Sequence, residues 1–153
     1  MGKIIRAFRL SSPDVPGYPD KAQILNGDTG NMLVYECNRF ATNPNPYSPH
    51  GGQPWSEVYA QITPGTYTWE CIDSPKHGVC LALNGLGPVP TTGPDPNNHG
   101  RHEALAVEIH CGFSATWRGS MACQTVHPDN WATFIGHFFL GDKGIYILTS
   151  EKM

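Results

Sequence analysis

The chain has 153 residues, a length typical of a single domain with one hydrophobic core, and we assign residues 1–153 to one domain. Its formal net charge of −3 and pI near 6.1 give no basic surface, so a nucleic-acid partner is not expected. Its 17 glycines and 14 prolines indicate a chain rich in turns, in which long helices are not expected. No apolar run approaches the roughly 20 residues that span a bilayer, so no membrane partner is expected either.

The first 17 residues contain an apolar stretch that Arg6 and Arg9 interrupt. A secretory signal peptide has an uninterrupted apolar core, so this segment is not predicted to be one. We therefore expect a protein that is made in the cytoplasm without a leader sequence, and we expect a monomer.

The predicted strands are short and rich in β-branched, aromatic and apolar residues. In chain order they span residues 3–10, 23–25, 32–37, 66–72, 79–83, 104–111 and 143–149. Residues 55–62 fit a strand and a helical turn equally well. Residues 38–54 and 84–101 are rich in proline, glycine and asparagine and are predicted to be long irregular loops.

One helix is predicted, over residues 130–139. Asp129 is a favourable N-cap, and Gly141 is well placed to end the helix. Apolar side chains recur at helical spacing and form one face, which consists of Trp131, Phe134, Ile135, Phe138 and Phe139. The predicted fold class is therefore mostly β, as a sandwich or a barrel, with one principal helix.

Five cysteines are present, and two of them flank a predicted hairpin turn. Cys71 and Cys80 are expected directly opposite each other across the turn at residues 74–77, where they could form a disulfide in an oxidising compartment. Two small reduced core residues are the alternative. Cys37 carries no signal beyond core packing.

One stretch of the chain combines a histidine and a cysteine in a pattern typical of catalysis. Strict alternation over residues 104–111 predicts a half-buried strand with Cys111 on the core face and His110 on the other face, beside Glu108. Cys123 follows 13 positions after His110. A histidine and a cysteine that are separate in sequence but able to meet in space are the minimum for nucleophilic thiol catalysis.

A thiol near neutral pH is only a few per cent thiolate unless a neighbour such as an imidazolium lowers its pKa. We therefore expect His110 to be the base and to lower the thiol pKa of Cys123. The other ring nitrogen of His110 is expected to be held by a backbone carbonyl near Ser120, or by Glu108, about 7 Å along the strand. Backbone N–H groups of Cys123 and its neighbours would line an oxyanion hole.

The order of parts over residues 62–148 follows a recognisable pattern. A Pro64-Gly65-x-Tyr67 turn leads a hairpin, and a loop rich in glycine and proline follows it. Then come a strand that ends in Ile-His, a Ser-x-x-Cys segment, an Asp-capped helix, a glycine and a last strand. This order resembles the L,D-transpeptidase (YkuD-like) catalytic domain, and especially its shortened relatives in phages and secreted antibacterial effectors.

By position, the resemblance makes His110 the base and Cys123 the nucleophile, and Ser120 matches the Ser or Thr of the family motif. Met121 and Ala122 stand where the family has His and Gly. The resemblance implies action on peptidoglycan stem peptides through a thioester, with no cofactor and no metal. Water as the acceptor makes such a protein a hydrolase, and an amine makes it a cross-linking L,D-transpeptidase.

Substrate contacts are expected around the loop between base and nucleophile. Trp117 and Arg118 are expected to line the groove, with Arg118 pairing with a stem-peptide carboxylate. Ala122, Gln124 and Glu108 are the other residues expected beside the substrate. Because no leader is visible, we expect an endolysin-like cysteine peptidase, or a delivered effector, that a holin or a secretion machine releases to the cell wall.

Two further functions fit the sequence. A zinc hydrolase would draw its ligands from a nearby group of residues, namely His99, His102, Glu103, His110, Cys111 and His127. His110 and Cys111 are adjacent on a strand and face opposite sides, and no H-E-x-x-H motif is present, which argues against zinc. A non-catalytic cell-wall-binding or phage structural module is the other alternative, because the residues before Cys123 differ from the family pattern.

Overall fold

The computed structural model describes residues 2–150, of which strands make up 46% and helices 14%. The strands are β1 (Ile4–Arg9), β2 (Asp20–Asn26), β3 (Met32–Ala41), β4 (Gly65–Ser74), β5 (Gly78–Leu83), β6 (Val89–Asp95), β7 (Arg101–Ala104), β8 (Glu108–Cys111), β9 (Gln124–Val126) and β10 (Lys143–Ser150). The α-helices are α1 (Trp55–Val58) and α2 (Pro128–Ile135). This composition confirms the predicted mostly-β class.

Eight of these strands close into a barrel in the order β1-β10-β4-β5-β8-β9-β3-β2, while β6 and β7 form a separate two-stranded hairpin. Neighbouring strands of the barrel are antiparallel except for the pairs β1–β10 and β8–β9, which are parallel. The pairing of β1 with β10 joins the two ends of the described chain. Closure of the barrel therefore depends on contacts between residues that are far apart in sequence.

The barrel interior is apolar because alternate residues of each strand point inward. In β4, Tyr67, Trp69 and Cys71 are buried, and all three belong to the core. The segment around α2 joins this core through Phe134, which is fully buried, and Phe138, whose ring centroid lies 4.9 Å from that of Trp69. Phe134 and Phe138, from the apolar face predicted for the helix, therefore pack against the barrel core.

Most of the predicted strands are present. β1 and β10 match the strands predicted at residues 3–10 and 143–149, and β4 and β5 form the predicted hairpin. β2 and β3 are longer than predicted, so the loop expected from residue 38 begins only after Ala41. The undecided segment 55–62 starts as α1, a single helical turn.

Helix α2 begins and ends earlier than predicted. Its N-cap is His127 rather than Asp129, because His127 Nδ1 accepts a hydrogen bond from the backbone N–H of Asp129. Its C-cap is Gly136, which leaves Phe139 outside the helix and 74% exposed. Gly141 has a φ of 90° and lies in the turn that leads to β10. Within residues 2–150, no helix has both the length and the apolar character needed to cross a bilayer.

Two predictions between β5 and β8 are wrong. Residues 84–101 were expected to be irregular, but they contain β6 and the start of β7, which pair as an antiparallel hairpin. The single strand expected over residues 104–111 is interrupted, because Ala106 has a left-handed φ of 55°. β7 and β8 lie on either side of this break. Within β8, Glu108, Ile109 and His110 are all buried and Cys111 is only partly buried, so the predicted half-buried strand with Cys111 on the core face is not found.

Cys71 and Cys80 do not face each other. Cys71 is opposite Leu81, and Cys80 is opposite Ile72, which places the register one residue away from the expected one. Adjacent positions in this register project to opposite faces of a sheet, so the two thiols point away from each other. All five cysteines are free, and this geometry does not allow a disulfide between Cys71 and Cys80.

Candidate active site

His110 and Cys123 lie on one face of the barrel wall. β8 and β9 run parallel with His110 opposite Thr125, and Cys123 comes directly before β9. Residues two apart on a strand share a face, so Cys123, Thr125 and His110 project to the same side. The register therefore places the two residues on one face of the wall.

This face opens into a cavity of about 460 Å³ that both His110 and Cys123 line. The turn between β4 and β5 contributes Lys76 and His77 to the cavity wall, and the β6–β7 hairpin contributes Asn98. Cys123 is only partly buried, so its sulfur can be reached from the cavity. A ligand in this space would contact the imidazole and the thiol at the same time.

The outer part of the cavity is apolar. Leu86, Leu105 and Met121 line it, and they are 38%, 53% and 47% exposed. Leu86 and Ala106 both have left-handed φ values, of 68° and 55°, and the N–H of Ala106 donates to the carbonyl of Leu86. Such backbone conformations cost free energy for residues other than glycine and are concentrated at functional sites. Apolar walls with a few polar groups at the base are typical of ligand sites.

His110 is held in one tautomer. Its Nδ1 lies 2.8 Å from the carbonyl oxygen of Cys111, which can only accept a hydrogen bond, so Nδ1 carries the ring proton. Nε2 then has a free lone pair and is the atom that can take a proton. The holding group is thus the carbonyl of Cys111, which corrects the expectation that a carbonyl near Ser120, or Glu108, would fill this role.

The thiol and the imidazole are both neutral at rest. The pKa of His110 is lowered to about 4, chiefly by burial, and the nearby His77 and Lys76 also lower it. Burial raises the pKa of the Cys123 thiol to about 11, although the backbone N–H of Glu108, 3.3 Å from Sγ, favours the thiolate. The expected imidazolium and the lowered thiol pKa are therefore corrected to a neutral pair.

This resting state has a direct consequence for thiol reactivity. We expect iodoacetamide to alkylate Cys123 only in the alkaline range, because the thiolate is the reactive form and burial raises the pKa of this thiol to about 11. Mass spectrometry of the digested protein would follow the alkylated fraction of Cys123 against pH, with free cysteine as the reference. Half-maximal alkylation at a lower pH than that of free cysteine would contradict the neutral pair.

Ser120 fixes the backbone of Cys123, the candidate nucleophile. Its hydroxyl donates to the carbonyl oxygen of Cys123 at 2.6 Å, and its own N–H donates to Oδ1 of Asn45 at 3.1 Å. The N–H of Asn45 in turn donates to the carbonyl of Ser120 at 2.8 Å. Ser120 is 1% exposed and does not line the cavity. The structure therefore places it behind Cys123, as a positioning residue.

Arg118 is buried and bonded to the backbone. Its guanidinium donates to four carbonyl oxygens, those of Pro13, Val15, Gly17 and Pro44. It is 1% exposed, and these bonds tie the loop before Cys123 to the β1–β2 connection and to the loop after β3. This placement corrects the expectation of a groove residue, because the guanidinium is not available to a substrate carboxylate.

We expect Arg118→Met to lower the free energy of unfolding by more than about 3 kcal/mol, because several buried carbonyls lose a charged donor. Urea unfolding followed by circular dichroism would measure the loss. Arg101→Met is the matched control, since Arg101 is exposed and its loss should cost less than about 0.5 kcal/mol. Equal stability of the two variants would contradict the role of Arg118 as a clamp between loops.

The other expected substrate residues divide into two groups. Glu108 and Ala122 line the cavity, so the structure keeps them beside the candidate nucleophile. Gln124 is fully buried inside the barrel, where its Oε1 accepts from the hydroxyl of Tyr146 at 2.6 Å, which corrects the expectation of a substrate contact. Trp117 packs against Tyr47, with ring centroids 5.1 Å apart, and is not among the cavity residues.

Two residues of the site, Lys76 and His77, were not predicted from the sequence. Both come from the β4–β5 turn, and His77 stacks on His110 with ring centroids 3.8 Å apart. The predicted hairpin was the only indication of their position. Its second strand, β5, pairs with β8, and this pairing places the turn next to His110. Without that pairing, His77 resembles a surface histidine.

The zinc alternative receives no support from the described residues. Within residues 2–150, no three His, Cys, Asp or Glu side chains converge in a way that could hold a metal ion. His99 and His102 are exposed, and His127 caps α2.

Comparisons of this chain with protein-family models, with curated proteins and with solved structures found no match. The candidate site is therefore described by its own geometry alone.

Proposed function

We propose that the protein is a cysteine-dependent hydrolase of peptidoglycan stem peptides that acts through a thioester. The observation that carries the proposal is the shared cavity, in which an imidazole with a free Nε2 and a partly exposed thiol lie on one face of β8 and β9. The stem peptide is proposed as the substrate because the order of parts in the sequence resembles the L,D-transpeptidase domain.

The neutral pair favours general-base catalysis over a preformed ion pair. His110 Nε2 takes the thiol proton as the Cys123 sulfur attacks the substrate carbonyl carbon, whose π electrons move to its oxygen. The tetrahedral intermediate then collapses, and the leaving amine takes the proton from the imidazolium. The products of this half-reaction are the free amine and an acyl thioester on Cys123.

Hydrolysis of the thioester repeats the same steps with water. His110 Nε2 removes a proton from water as the water oxygen attacks the thioester carbon. Collapse of the second intermediate breaks the carbon–sulfur bond, and the imidazolium returns its proton to the sulfur. Glu108 supports both half-reactions, because its backbone N–H donates to Sγ at 3.3 Å and stabilises negative charge on the sulfur.

The lining of the cavity combines apolar and amide side chains. The apolar side chains of Leu86, Leu105 and Met121 would contact aliphatic parts of the substrate, and the amides of Asn97 and Asn98 lie on the same wall.

Mass spectrometry of muropeptides after incubation with purified protein tests this proposal. New shortened stem peptides support a hydrolase, and they identify the bond that is cut. New cross-linked dimers instead support the transpeptidase alternative. Unchanged muropeptides, at protein concentrations that retain the native fold, would contradict both enzymatic functions.

A second candidate is a non-catalytic cell-wall-binding module. The observation that favours it is the pKa of the Cys123 thiol, which burial raises to about 11 rather than lowering it. A binding module would sediment with purified peptidoglycan without changing it, and Cys123→Ala would bind as well as the native protein. The hydrolase proposal requires instead that binding be followed by release of fragments.

A further inference from the structure

His77 and His110 form a stacked pair of imidazole rings. The ring centroids lie 3.8 Å apart and the ring planes are 4° from parallel. His77 belongs to the turn between β4 and β5, whereas His110 belongs to β8, so the contact joins two elements of the barrel wall. A contact this close and this flat fixes the plane of the His110 ring.

Glu108 joins the stacked pair to the nucleophile. Its Oε1 lies 3.8 Å from Nε2 of His77, and its backbone N–H donates to Sγ of Cys123. All four residues line the same cavity. One residue of β8 therefore contacts the stacked ring with its side chain and the sulfur with its backbone.

We propose that His77 is a positioning residue, which fixes the plane of the His110 imidazole while Nε2 takes the Cys123 proton, and which keeps that imidazole unprotonated at rest. The inference deepens the proposed thiol chemistry and rests on it. The hydrogen bond from Nδ1 to the Cys111 carbonyl fixes one edge of the ring, and the stack fixes its face. His77 acts through His110 and exchanges no proton with the substrate.

The charges around the pair determine how many protons it holds. The charged groups that act on the pair are Lys76 from the same turn and Glu108 from β8. Asp95 from β6 and Cys123 line the same cavity, and Cys80 from β5 interacts with Glu108. Burial lowers the pKa of His77, although Glu108 opposes this effect. Two positive rings 3.8 Å apart would repel each other, so protonation of one ring disfavours protonation of the other.

The test compares His77→Ala and His77→Phe with a matched control, His137→Ala. Phenylalanine keeps a flat ring against His110 but has no nitrogen to titrate. His137 is also a stacked histidine, but its partner is Tyr35, 5.1 Å away, and it does not line the cavity. The readouts are an NMR titration of the His110 ring nitrogens without substrate, and kcat and KM for release of stem-peptide fragments.

We expect His77→Ala to lower kcat roughly tenfold to a hundredfold with little change in KM, because the base loses its fixed plane. His77→Phe should restore most of kcat at pH 8, where His110 is neutral in every variant. Both substitutions should raise the titration midpoint of His110. His137→Ala should change neither this midpoint nor kcat.

A His110 midpoint that is the same in native protein and in both His77 variants would overturn the proposal. A native kcat in His77→Ala would also overturn it. The titration needs no turnover, so a protein without peptidoglycan activity would contradict the proposed function while the His110 midpoint still decides the role of His77.

Discussion

Replacing Cys123 by alanine is expected to abolish release of stem-peptide fragments, with a loss of at least about 10³-fold, because the other thiol near this face, Cys80, is fully buried and does not line the cavity. The fold should persist, since the side chain is small, partly exposed and not part of the core. Mass spectrometry of muropeptides would measure activity, and circular dichroism would measure the fold. Residual turnover near the native rate would show that the thiol mechanism is wrong.

Cys111→Ala is the control for this substitution. Cys111 is likewise a partly buried free cysteine, and it directly follows the candidate base. Its side chain does not line the cavity, and alanine retains the backbone carbonyl that holds His110 Nδ1. We expect near-native activity from this variant, so that a loss seen only with Cys123→Ala identifies the nucleophile.

Replacing His110 by alanine is expected to lower the rate by about 10²–10⁴-fold, because the thiol loses the base that takes its proton. In the native protein, activity should rise with pH through the His110 pKa of about 4 and stay level toward neutral pH. In His110→Ala, the residual activity should instead rise in the alkaline range with the thiolate. Initial rates of fragment release, from a pH below the His110 pKa up to the alkaline range, would measure both profiles.

His102→Ala provides the matched histidine control. His102 is exposed on β7, within the β6–β7 hairpin, and is one of the ligands named for the zinc alternative. Native activity in His102→Ala, together with native activity in the presence of a chelator, is the outcome expected of a thiol enzyme. Loss of activity in either case would favour the zinc alternative.

Burial of a neutral His110 also makes folding depend on pH. Its pKa is about 4 in the folded chain against an ordinary value of 6.5, so the unfolded chain binds the proton first as the pH falls. The free energy of unfolding should therefore decrease between pH 6.5 and pH 4, by up to about 3 kcal/mol, and this part should be absent in His110→Ala. Urea unfolding at several pH values in this range would measure the difference.

Local patterns in the sequence were sufficient for several parts of the fold. The β-branched and apolar residues of β1 and β10 predicted both strands, and alternation predicted that His110 and Cys111 would project to opposite sides of β8. The apolar spacing around Phe134 predicted the helix and its buried face. These properties depend on residues that are close together in the chain, so they can be predicted from one sequence.

Other features depend on contacts between distant residues. Arg118 looks like a surface charge until the fold brings four carbonyls from two other loops around its guanidinium. His77 joins the site only because β5 pairs with β8. The break at Ala106 results from a left-handed backbone conformation. Residues other than glycine rarely adopt this conformation, so the alternating pattern over residues 104–111 did not predict the break.

The parallel ladder between β8 and β9 has a practical consequence for engineering. The ladder and the anchors at Arg118 and Ser120 determine where His110 and Cys123 lie, whereas Phe113 is 81% exposed and Ala115 and Thr116 are also exposed. The tip of this loop is therefore a natural insertion point for a peptide that binds a chosen surface. Such a graft would add a new binding specificity while the candidate base and the candidate nucleophile keep their spacing.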